Sequence, residues 1–459
     1  VALRTTAAVL VGRAVRVAAR LRGGGSAIPG NIALRIDPGF LERTIAAIPD
    51  GVVAVSGSNG KSTTTNMLAA IIRAHGLKVF TNPSGGNLPQ GIASALLSEV
   101  SVGGRLDADI AILEVDEGYG TRLAELLKPK TVLLLNIQID QLNRYHEPDR
   151  VAAMLARVAA SSTEGLILNR EDNFLVDLDT RIPVHAGRAV SFFGGIPELV
   201  EPAGHGVASA DRFGDAAALP GSRPAAVEVT ALTGNRATLS IESAVLPGPA
   251  DTVADVAGSA PAGSVTGSSA TARTEIEVKL PSRGLHYALD AAGAAATARS
   301  VLGDRFRPEL VTQALDSLAT VYGRGEMLVV DGEQIEIIMM KNPASLQLNL
   351  DSLESAPEQV FLAVDEGTPD PSWIWDIDFS ALDHVDGITG SKAWQFATRF
   401  GYLGVPVGSV DLDVRAALKA FLALPKPATG HKVMILNYEQ MMGIRKILGF
   451  KELEGGGAA

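Results

Sequence analysis

At 459 residues, with 46% hydrophobic and 20% charged side chains, the sequence is long enough for two or three domains and has a globular composition. A net charge of -11 excludes a broad nucleic-acid footprint, and the lack of cysteine excludes disulfides, thiol nucleophiles and cysteine zinc sites. No apolar run reaches membrane-spanning length, and Arg13, Arg16, Arg20 and Arg22 interrupt the opening apolar stretch, so no cleaved signal peptide is expected.

The first element, "LRTTAAVLVGRAVRVAARLRGGG" (3–25), reads as a basic amphipathic helix ended by Gly23 to Gly25. It suits either a surface helix packed on the next domain or a contact with an anionic membrane surface. After a short helix at "GFLERTIAAI", apolar strands alternate with helical stretches, as in a parallel sheet covered by helices. The strand candidates are "GVVAVSG", "LKVFTN", "DIAILEVD", "TVLLLNI" and "GLILN", whose carboxyl ends would gather Gly57, Asn82, Glu114 and Asn136.

From about residue 194 to 275 the texture turns to Gly, Ala, Pro and Ser, with strand-like pieces at "RATLSIES" and "TEIEVKL". A helix at "GLHYALDAAGAAATARSVL" restores order and is followed by "GRGE" (323–326). "QIEIIMM", "QVFLAVD", "AWQFATRFGYLG" and "KVMILNY" then predict a second, smaller α/β unit. The expected division is an N-terminal helix and linker at 1–45, a central unit at 46–306 carrying the low-complexity insertion at about 200–275, and a C-terminal unit at 307–459.

The chemistry concentrates in "GSNGKST" (57–63), set between a strand and a helix. Gly57 and Gly60 are separated by Ser58 and Asn59 alone, where the general phosphate loop has four residues between its first glycine and the Gly-Lys pair. Backbone amides from Gly57 to Ser62 can still point at phosphate oxygens beside a helix dipole. Lys61 would bridge the terminal phosphates and the Ser62 hydroxyl would ligate magnesium. In "ILEVDEG", the strand-end acids Glu114, Asp116 and Glu117 offer carboxylates for the same cation, Glu114 foremost. "NIQIDQLNRYHEPDR" places Asn136, Asp140, Gln141 and Arg144 after another strand, where an Asn and an Asp otherwise cap a helix.

The order of "GSNGKST", "EVDEG", "NIQIDQ" and "GRGE" resembles the Mur ligase superfamily, whose members form amide bonds by phosphorylating a carboxylate with ATP before an amine attacks. Within it the chain is most similar to the MurT family, the synthase subunits of lipid II isoglutaminyl synthases. The segment before the phosphate loop is too short for the UDP-binding domain of the amino-acid-adding enzymes, and Gln141 stands where those carry a metal-binding histidine. "GGGSAIPG", "NPSGGNLPQGI", "YGRGEMLVVDGEQIEIIMMKNPASLQLNL" and "DEGTPDPSWIWDIDF" also look like that family.

The resemblance implies an α/β fold: a Mur-ligase-type central ATP-binding domain with a parallel sheet, plus a smaller Rossmann-like C-terminal α/β domain. It implies ATP and magnesium as cofactors, with Lys61 and Glu114 catalytic and Ser62 and Glu114 on the metal. Gly57, Ser58, Asn59, Gly60, Lys61, Ser62, Thr63, Asn136, Asp290 and Arg324 would hold the nucleotide. Asp290 departs from the family's asparagine in the Asn-x-x-Asn-Ala segment, here "HYALDA".

The implied substrate is lipid II, with a GatD-type glutaminase as heterodimeric partner and no nucleic acid. Location is expected in the cytoplasm, with peripheral contact at the inner face of the membrane. Asp370, with Asp376 next, is the implied third member of the glutaminase's Cys-His pair. The four-cysteine zinc ribbon of many family members cannot form here. Two rivals remain at this level, a folylpolyglutamate-type ligase and an ATP-binding scaffold that regulates a glutaminase.

Overall fold

A computed structural model describes residues 2–21, 27–82, 86–138, 148–202, 218–243, 272–318, 324–368, 370–428 and 430–450. Among the described residues two sheets form, one of nine strands and one of six.

The first sheet grows from the apolar runs named above. Strands β1 (Val52–Ser56), β3 (Ile110–Glu114), β4 (Thr131–Leu134) and β5 (Gly165–Asn169) are buried along their whole length, as strands covered on both faces must be. β1 lies between β3 and β4, with β2 (Val79–Thr81) outside β3 and β6 (Ala189–Gly195) outside β5, all parallel. The chain therefore passes from β1 to the edge at β2, returns inward through β3, and then crosses to the other side of β1. The carboxyl end of β1 is the switch point at which α/β sheets bind ligands.

The region expected to be a low-complexity insertion carries strands as well. β7 (Val227–Thr233) joins β6 in parallel, then β8 (Arg236–Glu242) and β9 (Arg273–Lys279) extend the sheet antiparallel. Val227, Val229, Leu239 and Ile241 face inward with polar residues between, a period of two hidden among Gly and Pro flanks. Residues 203–217 and 244–271 of that region lie outside the described residues.

Two apolar layers clamp this sheet. On one face lie α1 (Ala2–Leu21), α2 (Ile28–Ile36), α3 (Phe40–Ala46), α5 (Pro89–Glu99), α6 (Glu117–Leu127) and α7 (Pro148–Ala160). On the other, α4 (Lys61–Ala74) packs against α8 (Leu285–Leu302) and α9 (Pro308–Asp316). The alanine-rich sequence of α8 lets it lie close to the strands, with Gly293 against the ring of Phe193. Helix α9 packs on α4 and β9, and the strands of the second sheet begin at Arg324.

The second sheet runs β10 (Arg324–Val330), β11 (Glu333–Met339), β15 (His431–Leu436), β12 (Val360–Ala363), β13 (Val385–Thr389), β14 (Val407–Val410). Only β10 is antiparallel to its neighbour. Helices α10 (Pro343–Asp351), α11 (Ala393–Leu403), α12 (Val414–Leu422) and α13 (Tyr438–Ile447) cover it, with a one-turn helix at Ser372–Asp376. Among the described residues no helix is long and apolar enough to cross a membrane.

Gly30 is the contact point that seats α2 on α5. A Cβ there would lie 1.9 Å from the carbonyl oxygen of Gln90 and 2.6 Å from the amide of Ser94, both main-chain atoms that cannot turn aside. Gly30→Val should therefore force the helices apart and cost on the order of 1–3 kcal/mol. Urea denaturation of wild type and variant measures it, and an unchanged midpoint would show that the contact is not constraining.

Candidate active site

The short phosphate loop is shaped by its neighbour rather than by its own turns. The turn after β4 supplies the partners: the Ser58 amide donates to the Asn136 carbonyl (3.0 Å) and the Asn59 amide to Asn136 Oδ1 (2.8 Å). The Gln138 amide donates to Ser58 Oγ (3.0 Å), and Asn136 Nδ2 returns a bond to the Asn59 carbonyl (3.2 Å). Gly60 closes the loop at φ 82°, and a Cβ there would fall 2.3 Å from Asp290 Oδ1, so conformation and space both demand glycine.

Lys61 is the first residue of α4 and is almost buried. Its ammonium is ion-paired with Glu117 Oε1 at 2.6 Å and donates to the carbonyls of Gly57 and Ser58. The Ser62 hydroxyl, on the next position, donates to Glu114 Oε2 at 2.6 Å. Glu114 ends β3 and is fixed by Asn82, whose Oδ1 accepts from the Glu114 amide and whose Nδ2 donates to the Glu114 carbonyl.

The three acids of "EVDEG" thus divide their work. Asp116 caps α6 by accepting from the Gly118 and Tyr119 amides, Glu117 holds Lys61, and Glu114 stands at Ser62. A hydroxyl and a carboxylate 2.6 Å apart are hard oxygen donors of the kind magnesium takes.

The second sheet supplies the opposite wall. Asn342 caps α10 through a capping box with Ser345, which fixes the Lys341-Asn342 pair in space. Lys341 Nζ donates to the Ser58 carbonyl at 3.0 Å. The Asn59 and Asn342 amides exchange two hydrogen bonds, of 3.2 and 3.1 Å. Arg283 reaches across below them to Glu336 of β11, with 2.8 and 2.7 Å to the two carboxylate oxygens. Between the walls opens a cleft lined by Gly60, Asn136, Tyr287, Asp290, Lys341 and Asn349.

Gly57, Ser58, Asn59, Gly60, Lys61, Ser62, Glu114, Asn136 and Asp290 therefore meet at one place. Thr63 is buried under the loop on α4. Arg324 is described through its backbone, opposite Ile338 at the start of β10, while its side chain, with Asp140, Gln141 and Arg144, lies outside the described residues. Its motif neighbour Glu326 is ion-paired with the buried Arg445.

Asp370 is not part of this cleft's lining. It is exposed in the loop after β12, where Oδ1 accepts from the Ser372 amide at 2.9 Å. That backbone bond, aided by the Ser372 hydroxyl, holds its carboxyl below the usual range. Asp376 is likewise exposed. Beside them the sequence leaves large aromatics open: Trp375 meets Tyr402 edge-on and carries Arg399 over its ring, and Trp394 is also exposed.

The sequence reading missed Glu117 as the partner of Lys61, Gln138 under the loop, and Lys341 with Asn342. It also missed Asp172, fully buried, whose carboxylate accepts from the amides of Ile137 (2.7 Å), Phe174 (2.9 Å) and Leu175 (3.1 Å). The Ile137 bond anchors the turn that carries Asn136.

The chain matches the Mur ligase middle domain over residues 55–195 and the MurT ligase C-terminal domain over 339–441. It is 24% identical to the lipid II isoglutaminyl synthase subunit MurT of Streptococcus pneumoniae, over 98% of each chain. It is 30% identical to the MurT of Staphylococcus aureus (strain COL), over 38% of this chain and 39% of that one. Among solved structures, MurF of Acinetobacter baumannii superposes with a TM-score of 0.62 at 16% identity, covering 91% of this chain and 80% of that one. MurF of Thermotoga maritima in complex with ADP gives 0.59 at 17%, covering 92% and 84%.

Burial pushes the Asp172 carboxyl up to about 7, against the pull of its three amide donors. A carboxyl raised above its unfolded value of 3.8 keeps a proton that the unfolded chain has lost. Its contribution to stability is therefore complete below about pH 4 and is lost as pH rises to about 7. Denaturation midpoints followed over that window should fall more steeply in wild type than in Asp172→Asn, which stays neutral, by up to about 1.4 kcal/mol per pH unit. Parallel curves for the two proteins would show that Asp172 is ionised throughout.

Proposed function

The chain belongs to the MurT family of Mur-type ligases, and from that premise we propose that it is the synthase subunit of a lipid II isoglutaminyl synthase in peptidoglycan synthesis. It is an ATP-dependent ligase. The reaction proposed is amidation of the D-isoglutamate α-carboxylate of the lipid II stem peptide. The observation that carries this reading is the C-terminal match over 339–441, because that segment both faces the phosphate loop through Lys341 and carries Asp370.

In the proposed sequence the substrate carboxylate attacks the γ-phosphorus of ATP. An acyl phosphate forms and ADP leaves with the electron pair of the broken bond. Ammonia then attacks the acyl carbon, phosphate departs, and the surplus proton passes to solvent. Amides of the 57–62 loop and the α4 N-terminus would hold the phosphates.

Lys61 would exchange its Glu117 contact for the terminal phosphate, so that its charge meets the negative charge that develops there. Ser62 and Glu114 are the residues that would hold magnesium, which when bound neutralises charge on the transferring phosphoryl group. Lys341 adds a second cation from the opposite wall, and Asn136 with Asp290 would line the nucleoside end of the cleft.

The ammonia source in this reading is a GatD-type glutaminase bound to the C-terminal domain. The exposed Trp375 and Tyr402, in the same domain as Asp370, support such a docking face, since aromatic anchors concentrate in interfaces. Asp370 would orient the partner's histidine as the third member of a triad does. A closed junction would let ammonia reach the acyl phosphate before water does. The lipid-linked substrate puts the reaction in the cytoplasm at the inner membrane face.

The test uses the chain purified with its glutaminase, incubated with lipid II, ATP and glutamine and read by mass spectrometry. The expected product is lighter by one mass unit, hydroxyl having become amine. Lys61→Ala should lower the rate by about two to three orders of magnitude, as loss of a group stabilising transition-state charge does. If the rate is unchanged while the complex persists, the chain is a scaffold. Amide formation with an amino acid and no glutaminase would instead favour a folylpolyglutamate-type ligase.

Asp370→Asn separates the two halves of the proposed reaction. Glutamine-driven amidation should collapse while amidation with an ammonium salt stays within about twofold of wild type. Equal loss with both nitrogen donors would remove Asp370 from the glutaminase and assign it to the ligase.

A further inference from the structure

The first 36 residues hold six arginines and no acidic residue, in a chain whose net charge is -11. Helix α1 uses two of those arginines inward. Arg13 donates to the Leu97 and Val100 carbonyls at the C-terminal end of α5, and Arg16 donates to the Ser94 carbonyl. Thr5, Ala8 and Val9 complete the buried face. This is the packed surface helix that the sequence allowed.

The outer face is the unexpected part. Leu3, Ala7, Leu10, Val11, Ala14, Val17 and Ala18 are all exposed and follow one helical stripe, with only the exposed Arg4 among them. Leu3 is 88%, Leu10 52% and Val17 59% exposed, and Ile28 at the start of α2 continues the stripe at 51%. An apolar stripe that long on a helix already packed on its other side marks a contact surface rather than scattered exposure.

The stripe also has a position. The C-terminal half of α1 and the start of α2 lie against the first turns of α5, through Arg16 to Ser94 and Gly30 to Gln90. Helix α5 follows the segment from β2, where Asn82 holds both the Gly86 carbonyl and the Glu114 backbone. The apolar face thus runs up to the same end of the first sheet as Glu114 and the phosphate loop.

We propose that the outer face of α1, extended by Ile28, lies on an anionic lipid bilayer and brings the catalytic end of the sheet to a lipid-linked substrate; this rests on the reading of the substrate given above. Charge chooses the occupant. An arginine-bearing, acid-free segment is attracted to an anionic surface, whereas a second copy in symmetric contact would set the same arginines against each other.

The test is sedimentation of the ligase–glutaminase complex with vesicles that contain no lipid II, of phosphatidylcholine with or without phosphatidylglycerol. Binding is expected only with phosphatidylglycerol, weakening as salt rises. The Leu10→Glu/Val17→Glu variant should lose it by roughly tenfold or more, and Arg4→Glu should weaken it without touching the apolar stripe. Thermal unfolding of each variant shows whether the fold survives, and amidation of detergent-dispersed lipid II should be unchanged.

Wild-type binding that neither variant reduces, or no binding at all, overturns the proposal. So does a variant-sensitive change in oligomeric state by light scattering. Because the vesicles lack substrate, failure here leaves the ligase reading standing, and failure of amidation leaves the vesicle result interpretable.

Discussion

Everything at the candidate site depends on the clamp that the turn after β4 places on residues 58 and 59. With two residues between its glycines, the loop is too short to satisfy its own amides, and Asn136 and Gln138 satisfy them from the next strand. Asn136 is held in turn by the buried Asp172 through the Ile137 amide. On its other side Asn59 grips Asn342, so the same loop residue joins the two halves of the chain. The shape of the loop and its junction with the second sheet are thus one connected set of hydrogen bonds.

The electrostatics are arranged around the buried charge of Lys61. Lys61 is too buried to be left alone, and stripping one partner from a buried pair costs about 3–5 kcal/mol. Glu117 provides that partner on the first residue of α6, while the flanking Asp116 stabilises the helix start. The ammonium is thus held desolvated beside the loop carbonyls of Gly57 and Ser58. Ser62 and Glu114 share a hydrogen bond on the next position, and Lys341 brings further positive charge from the opposite wall.

Much of this was legible because local chemistry announced it. The apolar runs placed β1 to β5, and a Gly-Lys-Ser at a strand-to-helix junction has few other uses. What escaped has identifiable reasons. Glu114, Asp116 and Glu117 look alike in a row, and only the start of α6 decides which one caps and which one turns back to Lys61. Lys341 acts on a carbonyl 283 positions away, a distance over which no periodicity speaks. β7 was obscured by its Gly- and Pro-rich flanks, although its inward valines alternate, whereas β8 and β9 showed as the strand-like pieces "RATLSIES" and "TEIEVKL". Helix α1 was readable as amphipathic, but not that Arg13 and Arg16 would turn inward and an apolar stripe be left out.

The order of the second sheet has a consequence for how the molecule comes into being. β15 is the last of its strands in the chain yet sits at the middle of the sheet, between β11 and β12. It brings Lys432, fully buried, with its ammonium on the Leu422 and Leu424 carbonyls and on Glu333. Until that strand has been made, β11 has no inner neighbour and the Lys341-Asn342 corner at its end has no rigid support. On the ribosome the 57–62 loop can take shape early, with the first sheet, but its opposing wall is a late arrival. A half-made chain therefore has the residues of the 57–62 loop and lacks the supported corner that meets them.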